Sequence, residues 1–166
     1  VKKDWELKAK TRELLAEGMK SKSQEELKLL MDFEDMRVRM AAQFELVNRK
    51  DEKNLLNVVQ AAQTIFGRLH GIWGLGQLYK KGIGNPENLL QLLQDNNAHI
   101  KAQTAKLFGE IKLKKATPLL LQQINDEFPI AQFFAVEALG KMKAAEAFHP
   151  IVDLLERIED SDTHFR

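Results

Sequence analysis

Val38-Arg39-Met40-Ala41-Ala42-Gln43-Phe44-Glu45-Leu46 is the stretch that decides the fold. Its opening pair, a small or apolar residue followed by a long polar one, returns at Gly67-Arg68, Ile100-Lys101, Ala131-Gln132 and Phe165-Arg166. The second members of these pairs stand 29, 33, 31 and 34 residues apart. A period of that size describes helical hairpins stacked on one another rather than a closed globule. When the stretches are superposed on the mark, Leu46, Leu75, Phe108 and Leu139 fall in one column and Val38, Gly67, Ile100 and Ala131 in another. These columns are the expected core between repeats. Ala42, Gly71, Thr104 and Ala135 lie between them, small enough for helices to approach closely. Gly76, Gly109 and Gly140 share a further column, and a mid-helix glycine costs about 1 kcal/mol against alanine unless close packing or a helix end uses it.

Working outward from the mark, each second helix gains a first partner. Trp5 to Met19 reads as a lead-in helix, and Ser23-Gln24-Glu25-Glu26 offers a capped start for a helix through Leu27, Leu30 and Met31. Its partner runs from about Arg37 to Arg49. The next pairs are Asn54 to Gln63 with Arg68 to Tyr79, Glu87 to Leu93 with Ala98 to Ile111, and Pro118 to Ile124 with Ile130 to Met142. Residues 80–86, rich in lysine and glycine, form the clearest loop. Pro118 suits a first helical turn, where a missing N–H costs nothing, and Pro150 does the same for a helix from Ile151 to Ile158. The expected architecture is all-α, an α-α superhelix of about four and a half hairpins: a lead-in helix over residues 1–22 and a repeat domain over 23–166, incomplete at its C-terminus.

The pattern from Val38 to Leu46, together with Ala135-Val136-Glu137-Ala138-Leu139-Gly140, resembles HEAT-like repeats of the short bacterial type, which implies a right-handed solenoid and, in general, a surface that holds other molecules. A narrower resemblance comes from Arg68-Leu69-His70-Gly71-Ile72-Trp73-Gly74-Leu75-Gly76-Gln77-Leu78, which is similar to the repeat region of large exported bacterial dehydrogenases or haem-binding proteins. In that family a propeller precedes the helical repeats and a cytochrome c domain follows. The resemblance implies an exported or periplasmic location and a middle segment of a longer protein. The chain has no initiator Met and stops at Asp162-Thr163-His164-Phe165-Arg166, where another second helix should begin.

Composition narrows the chemistry. Hydrophobic residues at 44% and charged residues at 30% fit a folded chain, not a disordered one. With 25 Lys and Arg against 24 Asp and Glu, the net charge of +1 gives no global pull toward nucleic acid or anionic membrane. No run approaches the roughly 20 apolar residues that cross a bilayer. There is no cysteine, so disulfides, thiolate zinc sites and thiol nucleophiles are excluded from these residues.

No catalytic, cofactor or metal constellation emerges. His70, His99, His149 and His164 lie in different units, and none pair at the i, i+4 spacing that would set two ligands on one helix face. Gly74-x-Gly76 falls inside a helix, and neither it nor Gly82-x-Gly84 is followed by the Lys-Ser/Thr of a phosphate loop. Ser21, Ser23 and Ser161 have no nucleophile-elbow context. A nucleic-acid-binding enzyme of the repeat class would call for a buried Asp among aromatics and a basic concave face, and the sequence shows neither clearly.

What remains are candidate contacts for a protein partner. Lys80, Lys81, Lys112, Lys114 and Lys115, with Lys141, Lys143 and Arg49-Lys50, sit where second helices end. Asp32-Glu34-Asp35, Asp95, Asp126-Glu127 and Glu159-Asp160-Asp162 sit where they begin. Helix-dipole complementarity, about 0.3–1 kcal/mol per well-placed charge, accounts for most of that pattern. A basic and an acidic edge are the functional reading. Met40 with Phe44, and Leu69 with Trp73, add an apolar stripe to the first two second helices, which Trp5, Leu7, Leu14 and Leu15 of the lead-in helix are expected to cover. Phe44, His70 and Trp73 are the contact residues to examine on that stripe, although packing is the favoured role for His70. The reading is a non-catalytic scaffold, without cofactor, whose partners are flanking domains or another protein. A stand-alone protein-binding module is the alternative, and self-association through an uncapped C-terminal end is a further expectation.

Overall fold

A computed structural model describes residues 2–157, with side chains from Trp5 onward. Every regular element among these residues is helical. In chain order they are α1 (Lys2–Glu17), α2 (Gln24–Leu30), α3 (Met36–Asn48), α4 (Glu52–Ala61), α5 (Ile65–Tyr79), a 3₁₀ segment (Pro86–Gln94), α6 (Ala98–Ile111), a 3₁₀ turn (Lys114–Ala116), α7 (Thr117–Gln123), α8 (Pro129–Met142), a second 3₁₀ turn (Ala145–Ala147) and α9 (Phe148–Arg157). The chain divides between Gly84 and Asn85 into two compact units. The division falls in the glycine-rich loop that the sequence marks.

In the first unit α2 and α3 form one hairpin and α4 and α5 the next, with α3 against α5. In the second unit the 3₁₀ segment pairs with α6, α7 pairs with α8, and α8 packs on both α6 and α7. Each unit is therefore a stack of helix pairs, the packing of an α-α solenoid. Leu46, Leu75 and Phe108 are fully buried and Leu139 is 1% exposed, so the repeat column is core throughout. Val38, Ile100 and Ala131 are fully buried and Gly67 is buried too.

Local chemistry sets the element ends. Ser23 and Glu26 form the reciprocal capping box, with the Glu26 N–H donating to Ser23 Oγ at 3.2 Å and the Ser23 N–H to the Glu26 carboxylate at 2.7 Å. These hydrogen bonds hold the Glu26 carboxyl below its ordinary range. Asp35, Asp51, Thr64, Asn85 and Asn97 cap the helical segments that follow them, and Pro118 and Pro129 occupy first turns. Three second helices end on lysine in the left-handed region, Lys50 (φ 57°), Lys112 (φ 54°) and Lys143 (φ 54°), where glycine is the usual residue.

The polar member of the repeat mark ties hairpins together. Arg39 Nη1 donates to the carbonyls of Phe33 (2.7 Å) and Glu34 (2.8 Å), and Arg68 Nε donates to that of Val59 (2.9 Å). Lys101 Nζ reaches Asp126 Oδ2 of the next hairpin at 2.6 Å, and Gln132 Nε2 donates to the Asp126 carbonyl at 2.7 Å. Between the first two hairpins Asp32 does the same work, accepting from the N–H groups of Gln63 (2.8 Å) and Thr64 (3.1 Å) and from the Thr64 hydroxyl (2.6 Å). Gly67 is glycine for this reason: a Cβ there would stand 2.2 Å from Asp32 Oδ1.

Two expectations are corrected. Residues 86–94 wind as a 3₁₀ segment instead of an α-helix, started by Asn85 and Pro86. The lead-in helix does not cover the apolar stripe: α1 buries Thr11 and Leu14, while Trp5 is 71% and Leu15 37% exposed. The spacing of apolar residues along α1 is too loose to place all of them on one face. The Phe165-Arg166 mark, the Glu159-Asp160-Asp162 cluster, His164 and the second helix expected from Asp162 lie outside the described residues.

Candidate interaction surface

The feature of the first unit that meets solvent with interaction chemistry is the stripe on α3 and α5. Met36, Met40 and Phe44 follow one another at four-residue spacing on α3, and Leu69 and Trp73 repeat the last two positions on α5. Phe44 is 44% and Trp73 41% exposed, Met40 and Met36 are exposed, and Leu69 is half-buried. Because α3 and α5 pack side by side, the two rows belong to one surface. Met and Trp are residue types enriched in interface cores.

The patch stands on a buried polar base. His70 is 3% exposed, and its Nδ1 donates to Gln43 Oε1 at 2.7 Å. Its ring meets Trp73 edge-on, with centroids 4.9 Å apart and planes at 73°, which fixes the indole from below. Burial, and after it the nearby Arg39 charge, lowers the His70 pKa from 6.5 to about 4, so the ring is neutral at pH 7. Arg39 is itself buried and lies 5.0 Å over the exposed Phe66 ring. Met36, Phe66, Arg39 and Gln43 were not singled out in the sequence. Met36 had a usable signal in its four-residue step to Met40, whereas the Gln43–His70 pair joins two helices and had none.

The basic candidates divide between the units. Lys80 and Lys81 follow α5 in the first unit and are exposed. In the second, Lys112 caps α6, and Lys114 and Lys115 lie in the 3₁₀ turn after it, all exposed. Lys115 pairs with Glu87 at 2.7 Å. An exposed pair of this kind contributes little to stability.

A cleft of about 830 Å³ lies between α2 and α4, lined by Glu25, Lys28, Asp51, Glu52, Lys53 and neighbouring amides. Its charges serve the fold. Lys28 pairs with Glu25, Asp51 caps α4, and Glu52 accepts from the buried Tyr79 hydroxyl at 3.1 Å. Burial, with the Glu52 charge beside it, pushes the Tyr79 phenol above its ordinary pKa. Among the described residues no group of three or more His, Asp or Glu could hold a metal ion, and no helix is long and apolar enough to cross a membrane.

No curated protein matches the chain. The HEAT repeats family matches residues 86–164, so the paired helices of the second unit are similar to HEAT repeats, and with the same construction in the first unit this supports a HEAT-like repeat family.

Proposed function

We propose that the chain is a non-catalytic scaffold that holds a protein partner on the α3–α5 surface. The observation that carries this reading is the exposed row of Met36, Met40 and Phe44 beside Trp73, a desolvatable patch seated on a buried Gln43–His70 hydrogen bond. Similarity to HEAT repeats, which commonly mediate protein–protein contact, supports the same reading. The near-neutral charge favours a protein partner over nucleic acid. Within the proposal, the partner is a flanking domain of a larger, exported bacterial protein of the dehydrogenase or haem-binding type. The resemblance of Arg68 to Leu78 to that family's repeat region is its support.

The coding sequence on both sides tests the context. A propeller before the chain and a Cys-x-x-Cys-His motif after it are expected, and their absence leaves a stand-alone protein-binding module. Binding of the neighbouring domains to the purified chain tests the surface. Phe44→Ala with Trp73→Ala should abolish that binding, and unchanged affinity would remove the α3–α5 surface from the proposal.

A further inference from the structure

The last two hairpins repeat at an offset of 31 residues, as the left-handed Lys112 and Lys143 and the buried Ala116 and Ala147 show. At this offset the same positions have opposite exposure. Ala102, Ala105 and Gly109 of α6 are buried, whereas Phe133 is 44% exposed, Val136 half-buried and Gly140 exposed on α8. Leu120 and Ile124 are fully buried at α7, whereas Ile151 is half-buried and Leu155 is 53% exposed on α9. The helix that packs on both α6 and α7 is α8. Its approach is close: a Cβ on Gly109 would lie 2.6 Å from the Cα of Ala138, while a Cβ on Gly140 would meet nothing within 4 Å.

We propose that α8 and α9 form a socket for one further helix, supplied by a partner polypeptide and carrying the pattern of α8 itself. The socket continues the α6–α8 interface by one step, so that interface specifies the occupant. It is an amphipathic helix with alanines spaced as Ala131, Ala135 and Ala138 and a leucine directly after, its last alanine seated on Gly140. A larger residue at that place holds the helices apart, as it would between Gly109 and Ala138. The socket is separate from the α3–α5 surface and does not depend on it.

A synthetic peptide with the sequence of residues 127–143, extended by solubilising lysines, is the probe, titrated into the full chain by fluorescence anisotropy. Saturable binding is expected. Gly140→Leu in the chain, or Ala138→Leu in the peptide, should weaken it at least tenfold, and Trp73→Ala should leave it unchanged. Circular dichroism should show Gly140→Leu as fully folded as the parent, because the position is open. Absence of saturable binding, or binding indifferent to both leucine substitutions, would overturn the socket. A chain dimer in sedimentation that Gly140→Leu dissolves would overturn the partner helix in favour of a second copy.

Discussion

Asp32 holds Thr64 twice, accepting from its N–H at 3.1 Å and from its hydroxyl at 2.6 Å, across the gap between successive hairpins. With the third bond from the Gln63 N–H, one carboxylate sets the start of α5 against the end of α2. Asp32→Ala removes a charged acceptor from three donors and should cost about 2–3 kcal/mol. Asp32→Asn should recover part of that loss. Urea denaturation of both variants checks the order; equal stability of parent and Ala variant would show that the turn holds without the carboxylate.

Leu75 is fully buried in the repeat column of the first unit. Leu75→Ala opens a cavity there and should destabilise by roughly 2–5 kcal/mol in chemical denaturation. A loss below that range would mean that the neighbouring helices collapse onto the smaller side chain.

His70 links stability to acid. Its pKa falls from 6.5 to about 4 in the folded chain, so between those values the unfolded chain binds a proton that the folded chain refuses. The associated stability is complete above pH 6.5 and is lost as pH falls toward 4, by about 3 kcal/mol over the window. His70→Gln does not titrate and should flatten that slope when both chains are unfolded in urea at pH 7, 6, 5 and 4. Parallel profiles would contradict a neutral, buried ring.

Lys112 pays the steric strain of φ 54° without using the freedom that glycine has there. Lys112→Gly should raise stability by about 0.5–1 kcal/mol, the relief of the left-handed strain exceeding the extra chain entropy of glycine. Lys141→Gly, inside the last turn of α8, should instead lower it by about 1 kcal/mol. Thermal melts of the two variants should therefore move in opposite directions.

Salt separates the two kinds of contact surface. A partner held by Lys80, Lys81, Lys112, Lys114 or Lys115 should dissociate as ionic strength rises, because exposed charges are screened within about 8–10 Å near physiological salt. A partner held by Phe44 and Trp73 should stay bound across the same series and be lost on truncation to alanine. Isothermal titration from 50 mM to 500 mM salt, as an order-of-magnitude range around that screening regime, distinguishes them.

The repeat was legible because it is written in side-chain size: the column Leu46, Leu75, Phe108 and Leu139 needs only a period to be seen, and all four are core. Helix α6 occupies the Ala98–Ile111 span that the spacing gives, and the Ser23–Glu26 box is a local signal that formed as written. What escaped was non-local or against propensity. Asp32 bonds residues 31 and 32 positions away, and lysine carries no mark of a left-handed cap. The stripe on α3 and α5 was readable as a column, but its exposure depends on where α1 lies, and the loose spacing of Trp5, Leu7 and Leu15 could not tell that.

The 3₁₀ winding of Pro86–Gln94 also bears on the length of the repeat. A 3₁₀ helix rises about 2.0 Å per residue against 1.5 Å in an α-helix, so nine residues reach about 18 Å, as far as twelve in α form. The tighter coil lets a short stretch span most of the height of the fourteen-residue α6 beside it. Stretching one partner in this way allows the third hairpin to keep step with its neighbours while using fewer residues, and an insertion of three alanines there would trade reach for regularity without lengthening the stack.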